Sequence, residues 1–578
     1  MSNSVSRMYC SFRGVDFRGE EVNLIRSPDS VNMWKDYKTT ESIRTRPSLE
    51  LKYSFDTSVY GVFFYDVAGE RKILVHSGTS MYEVKGEEKT KINGDIVLNE
   101  APSDSFVYNG VFYFKDGKNY LFYDTATSTL KEVVPYVPTT SIGGTSGNGT
   151  PHEDVNLLTG RRKNTFRSTQ TKETSWGGKV YAGDYYLDTQ NIDKIISVTV
   201  DGEEIPEKPT INYGKGYSLG SDGLEKGRIY IGCGSETTSD NIVIEFEKNV
   251  DGYADRIKKC TLLQVFDNRI FCSGNPDFPN VLWHCSLNDP TYFSDLDYYN
   301  EGLDEAEIRG LVAGNNVLWV FREPSQANTN IFYHTPITDA QYGKIYPGNH
   351  SSIATGCIGR AINFNDDIVF FSDRGMEGIS GEITAEQVIG HRSTLIDSKL
   401  LTEANYKDMF LVEWEGYLFV CTGNHLYLAD SRAIFTNENH IEYDWFYWEI
   451  DSKITCARVY DGKLYIGTEN GVYSFDGKDN VKSHWVTPKD KFDAPQMQKT
   501  TNKRGCVVEA VGDITLFTKI ETDTDFMRVD EYKDVKDYFV SKIKRKKFKD
   551  IQLKFSSETR FSLETATLSA FIGGYVKR

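Results

Sequence analysis

An apolar run, a two-residue polar turn and a second apolar run recur along this chain. The unit reads SFVYNGVFYF around Asn109-Gly110, LLQVFDNRIFCSG around Asp267-Asn268, GLVAGNNVLWVF around Asn315-Asn316 and AINFNDDIVFFS around Asp366-Asp367. It continues as FLVEWEGYLFVCTG around Glu415-Gly416 and ARVYDGKLYIGT around Asp461-Gly462, with a looser copy, VYGVFFYDVAGERKILVHSG, turning near Gly69. Asn-Gly and Asp-Gly suit type I′ turns, in which both central residues take positive φ, so each unit predicts a β-hairpin. Turn residues 268, 316, 367, 416 and 462 are separated by 48, 51, 49 and 46 residues. Four-stranded propeller blades repeat at about 40–50 residues. Second hairpins follow at once at 464–477 and 418–430, and two consecutive hairpins make one blade. The pattern predicts an all-β chain with a roughly seven-bladed β-propeller. The Trp-Asp dipeptide of consensus WD40 arrays is absent.

The series breaks between Gly110 and Asp267. The break opens with PYVPTTSIGGTSGNGT at 135–150, which reads as a loop, and goes on with short strands such as RKNTF, VYAGDYYLD, IISVTVDGEEI, GRIYIG and NIVIEFE. These predict an inserted β-sandwich-like domain at 136–257. After 483 the blade pattern stops; CVVEAVGDITLFTKI and the last residues alternate again, predicting a C-terminal β-domain at 484–578. The remaining segments are an arm with first strands at 1–50 and blades at 51–135 and 258–483.

Composition agrees and narrows the functions. The chain has 578 residues, 35 Tyr, 33 Phe and 48 Gly, and a formal charge of −17. Aromatics favour pleated surfaces and glycines favour short turns. Such an acidic chain repels phosphate backbones, so tight sequence-specific DNA binding is not expected. The nine Cys lack zinc spacing and read as reduced core thiols. The opening, MSNSVSRMYCSFRGVDF, has no apolar h-region, and no 18 apolar residues run together, so neither a secretory signal nor a membrane span is expected.

Candidate chemistry is sparse. Gly216-Tyr-Ser218-Leu-Gly220 has the letters of a nucleophile elbow, but another strand pattern follows where that motif needs a helix, so Ser218 reads as a turn residue. The glycines at 143, 144, 147 and 149 lack the Lys-Ser/Thr of a phosphate loop. Ser372-Asp373-Arg374-Gly375 is a displaced, single echo of the sialidase Asp-box. No catalytic residue, metal site or cofactor is expected, and the chain is read as a non-enzyme. One charge run is conspicuous in an acidic chain: Lys542, Lys544, Arg545, Lys546, Lys547 and Lys549. On a strand, alternation would put Lys542, Lys544 and Lys546 on one face. We read the run as a candidate subunit interface, where cations meet an acidic neighbouring copy. A solvated face is the plain alternative.

Three pairs of stretches resemble a known family. Arg26-Ser-Pro-Asp-Ser-Val-Asn32-Met33-Trp34 is followed by Arg44-Thr45-Arg46-Pro47, with Ser48 where the family has Gly. Tyr136-Val-Pro138-Thr139 is followed by Glu153-Asp154-Val155-Asn156-Leu157-Leu158-Thr159 and on to Asn164. Thr500-Thr501-Asn502-Lys503-Arg504 is followed by Ala570-Phe571-Ile572-Gly573-Gly574-Tyr575. Together they resemble the tail hub or nozzle propeller proteins of short-tailed bacteriophages, the packaged-DNA stabilisation type. The resemblance implies a homo-hexameric ring in the virion tail, assembled in the host cytoplasm. It also implies an adaptor protein above, a fibre, needle or plug protein below, and DNA passing through the channel without sequence-specific binding. An acidic wall would let that duplex slide. The competing class is a propeller that recognises a glycan or a protein, with Trp445-Phe446-Tyr447-Trp448 as its aromatic platform. A glycan-degrading propeller enzyme is a third.

Overall fold

A computed structural model shows a chain that is almost entirely β. It describes residues 3–36, 39–67, 69–142, 152–170, 173–175, 179–208, 214–234, 236, 239–326, 329–340, 343–351, 354–380, 388–437 and 440–575. Seven four-stranded antiparallel sheets of blade type occur among them, as expected of a β-propeller chain. We number them along the sequence: blade 1 (59–91), blade 2 (104–132), blade 3 (262–300), blade 4 (308–351), blade 5 (361–391), blade 6 (410–449) and blade 7 (456–477 with the strand Ser48–Ser54).

The hairpin turns behave as their residues dictate. Asn109 and Gly110 take φ 48° and 76°, Asp267 and Asn268 49° and 57°, and Asn315 and Asn316 53° and 60°. Glu415-Gly416 and Asp461-Gly462 do the same. The blade 5 turn is a correction. It lies at Asn365-Asp366 (φ 51° and 65°), and Asp367 is already paired in its strand opposite Phe364. Asn tolerates the left-handed region readily. Asp367 is needed elsewhere, accepting from Arg392 Nε at 2.9 Å and from the Tyr443 hydroxyl at 2.8 Å.

Contacts divide the chain into two compact units, 1–103 with 306–578, and 104–305. The inserted segment 136–257 therefore belongs with blades 2 and 3. In the first unit, blades 4, 5, 6, 7 and 1 follow one another side by side. The second strands of blades 4 and 6, Val317–Arg322 and Tyr417–Thr422, are buried at every position, because blades stacked face to face leave a central strand no solvent side. Blade 7 is closed by chain-distant strands: Ser48–Ser54 pairs with Gly471–Gly477. A strand from before the blades thus locks the last of them.

In the second unit, blades 2 and 3 are neighbours and share a core that includes Phe106, Tyr120, Trp283 and Phe293. The insertion forms a five-stranded and a four-stranded sheet with a common core of Phe166, Tyr185, Val198, Ile229, Ile231 and Phe246. Of the Pro/Gly/Ser/Thr-rich stretch at 135–150, residues 143–150 lie outside the described residues.

The C-terminal sheet differs from its sequence reading in two respects. Its central strand, Met497–Ile520, begins nine residues before Cys506. The alternation there is hidden by an irregularity between Thr501 and Cys506, where Gly505 takes φ 65°. The sheet also recruits the N-terminus: Asn3–Tyr9 pairs with Phe561–Tyr575, and Met33–Asp36 joins through Thr39–Thr45. One hydrophobic cluster runs from this sheet (Phe555, Leu563) through Trp34 and Trp485 into blades 6 and 7 (Trp414, Trp448, Phe475). Among the described residues no helix is long and apolar enough to cross a membrane.

Candidate functional site

The first pair of resembling stretches forms a clasp. Met33 pairs with Thr45 and Trp34 with Arg44. Asn32, at φ 60°, accepts on Oδ1 from Arg46 Nε (2.8 Å) and from the Glu449 amide (2.9 Å), and donates from Nδ2 to the Lys482 carbonyl (2.9 Å). Arg46 also donates to the Glu449 and Pro47 carbonyls and lies over the Trp448 and Phe475 rings. Burial lowers its pKa to about 10. Arg26 and Arg13 both pair with Asp444 at 2.7 Å. Burial pushes the Asp444 carboxyl up, against the pull of these two guanidiniums. Trp34 stacks on Trp414 and meets Trp448 edge-on. The arm is thereby bolted to blade 6.

The second pair is stitched by Asn156, which is fully buried. It donates to the Tyr136 and Thr291 carbonyls and accepts from the Leu158 and Phe293 amides. The Tyr136 hydroxyl donates to Glu153 at 3.0 Å and the Thr139 amide donates to the same carboxylate at 2.7 Å. The third pair is a strand pairing, Thr500 opposite Phe571 and Thr501 opposite Ala570. In every case the two stretches that resemble the family touch each other.

The basic run is a strand only at Lys546–Phe548, contrary to expectation for 542–545. There Thr501 captures the backbone instead: its hydroxyl bonds the Ile543 carbonyl and the Arg545 amide, and its own amide donates to the Arg545 carbonyl. Exposure still alternates: Lys542 and Lys544 are exposed while Ser541 and Ile543 are buried. Lys546, Lys547 and Lys549 are exposed around the buried anchor Phe548. Arg545 is different, being half-buried and paired with Asp523 at 3.0 Å, with Nε donating to Thr518. Five of the six candidate interface cations thus face solvent and one is occupied within the chain.

The other candidates fall into structural places. Ser218 ends a three-residue strand before a turn at Gly220 (φ 58°) and a four-residue helix. Trp445, Phe446, Tyr447 and Trp448 are all at most 1 % exposed, a core strand with no aromatic platform for a ligand. Ser372-Asp373-Arg374-Gly375 is the turn into the third strand of blade 5. The nine cysteines are unbridged and eight are buried; burial pushes Cys285, Cys357, Cys421, Cys456 and Cys506 up to about 12, so these thiols are inert. His391 is a strongly perturbed imidazole. Burial would lower it, but Asp397 at 2.6 Å and Glu377 at 3.2 Å raise it to about 9.

Sequence reasoning missed one feature, a cleft of about 300 Å³ in the 104–305 unit. Asp154, Asp188, Asp295 and Glu153 line it with Arg162 and His152. Burial and the Asp154 charge raise the Asp295 carboxyl. Its acidic residues come from distant segments, so no local motif announces it. Among the described residues no cluster of His, Cys, Asp or Glu is arranged to hold a metal ion.

No family model matches the chain, and no curated protein matches it. Solved structures similar to it include BamB from Moraxella catarrhalis (11% identity, 74% of this chain and 97% of that one, TM-score 0.33). They also include an exo-β-1,3-galactanase from Phanerochaete chrysosporium (8%, 82% and 98%, TM-score 0.17) and the dihydro-heme d1 dehydrogenase NirN (12%, 63% and 76%, TM-score 0.23). At such scores these likenesses add nothing to what the sheet topology gives.

Proposed function

We propose that this chain is a non-enzymatic structural component of a short-tailed bacteriophage tail. It would act as a hub or nozzle subunit that assembles into a ring, retains packaged DNA and passes it during ejection. The observation that carries the reading is the pairing just described. Arg26–Trp34 meets Arg44–Pro47, Tyr136–Thr139 meets Glu153–Asn156, and Thr500-Thr501 meets Ala570-Phe571. The long-range pairing of Thr500-Thr501 with Ala570-Phe571 supports the reading most, since local chain folding does not bring those two stretches together. The burial of Trp445–Trp448 speaks against the recognition-module alternative in its expected form.

The test is the mass of the purified chain by light scattering across a range of concentrations, with electron microscopy of the same sample. A closed ring, sixfold by the family resemblance, is expected. A monomer at every concentration overturns the reading.

A further inference from the structure

Among the described residues, the C-terminal sheet has two strand edges that pair with no further strand. Four strands lie in the order Asn3–Tyr9, Phe561–Tyr575, Met497–Ile520, Tyr538–Ser541, all antiparallel to their neighbours. Among the described residues Asn3–Tyr9 pairs only with Phe561–Tyr575, and Tyr538–Ser541 only with Met497–Ile520. An open edge is a template for another strand, and proteins that must stay apart guard it with charge. The adjoining edge strand Met527–Val535 is guarded in that way, carrying Arg528, Asp530, Glu531, Lys533 and Asp534. Tyr538–Ser541 carries no charge, and Asn3–Tyr9 carries only Arg7, whose guanidinium is held by Asp490 and Asp493.

One row crosses all four strands in direct register: Met8 opposite Thr567, Thr567 opposite Val507, Val507 opposite Val540. Three of its four members are exposed apolar side chains: Met8 is 58% exposed, Val540 48% and Val507 38%. Tyr538, at 62%, stands beside them. This apolar row runs from one unused edge to the other.

We propose that copies of this chain join through these edges, Asn3–Tyr9 of one copy pairing antiparallel with Tyr538–Ser541 of the next, Met8 opposite Val540. The proposal rests on the ring reading above and names its interface. Geometry makes the second copy the fitting occupant. With four antiparallel strands the two edges run in opposite directions, so a rotated copy meets its neighbour antiparallel without inversion. Along such a row, hydrogen-bonded and non-hydrogen-bonded pairs alternate, so an even number of strands leaves the two ends matched. The join is head to tail, the kind that closes into rings. The same register sets Ser6 opposite Lys542 and Ser4 opposite Lys544, placing the start of the basic run at the boundary.

Cross-linking in the full chain tests it. In a Cys10→Ser background, Met8→Cys and Val540→Cys are made singly and together. Within one copy these positions are three strand spacings apart, about 14 Å, too far for a disulfide. Under mild oxidation the double variant is expected to give a ladder of covalent multimers, and the two singles mixed should give covalent dimers that neither single gives alone. A second variant, Met8→Lys with Val540→Lys, copies the natural edge guard and should leave a folded monomer. Rings that form without any cross-link, or that survive the double lysine change, overturn the edge pairing and leave the ring reading intact. An unmodified chain that is monomeric at every concentration overturns both.

Discussion

The arm at 26–47 and the run at 542–549 both concentrate cations in an acidic chain, and the fold treats them in opposite ways. In the arm, Arg26 and Arg46 are buried and held within the clasp by Asp444, Asn32, backbone carbonyls and the rings of Trp448 and Phe475. In the run, the lysines stand in solvent on backbone anchored by Ile543 and Phe548. The difference follows from the neighbours in sequence. Planar guanidiniums separated by Asn, Met and Trp can be buried with their donors satisfied. Consecutive ammoniums repel one another and stay hydrated. A buried cation therefore reports on how the chain is held together, and an exposed one on what it meets.

Breaking the clasp should cost most. Asp444→Ala leaves Arg26 and Arg13 without their carboxylate, and loss of one partner of a buried ion pair costs about 3–5 kcal/mol. Chemical denaturation of the first unit should show a loss of that size. If the midpoint hardly moves, the arm is not a structural clasp. Asn32→Ala should cost less, about 2–4 kcal/mol, since it strands the Arg46 Nε–H and the Glu449 amide without the Asn32 acceptor. The double variant Asn32→Ala with Arg46→Ala should cost less than the sum of the singles, because the two residues are one interaction.

His391 lies between the two extremes, a half-buried cation. Its folded pKa of about 9 exceeds the free value of 6.5, because Glu377 and Asp397 flank the ring while Ser393 holds the other oxygen of Asp397. The protonated ring is thus favoured by the fold. Its stabilisation is complete below about pH 6.5 and is lost as pH rises through 9. Thermal unfolding from pH 6 to 10 should show stability falling across that window, and His391→Gln should flatten the fall. An unchanged slope in the variant would assign the pH dependence to other groups.

Much of this architecture was legible in the sequence because propeller hairpins are local. Asn109-Gly110 or Asp461-Gly462 fixes a turn type, and the apolar runs on either side can only pair with each other. What depends on distant chain was not legible. Ser48–Ser54 closing blade 7, Asn3–Tyr9 joining the last sheet and the carboxylates of the cleft each need a partner more than a hundred residues away. The Asp366 turn was misplaced by one residue because two acidic neighbours have similar turn preferences, and only the ion pair of Asp367 with Arg392 decides between them. In the basic run the lysines are exposed, while Arg545 pairs with Asp523 at the tip of another hairpin, a partner that no local pattern shows.

The smallest effect on the folded chain is expected from the run itself, and there the comparison is sharpest. Lys542→Glu with Lys544→Glu alters two exposed side chains with no ion-pair or hydrogen-bond partner among the described residues, so the stability of the chain should change by no more than about 0.5 kcal/mol. Arg545 is left out of the variant because reversing it would put a like charge against Asp523 and weaken the monomer. If the run lies beside a subunit boundary, reversal should slow ring assembly, since complementary charge acts on the rate of encounter more than on the finished complex. The same argument requires that assembly of the unaltered chain slow as salt rises from low ionic strength, where screening extends over about 30 Å, to physiological salt, where it acts within about 8 Å. Stopped-flow light scattering measures both. Assembly at the ordinary rate in low salt would make the run a solvated face, while the clasp, which involves none of these lysines, would stand unaffected.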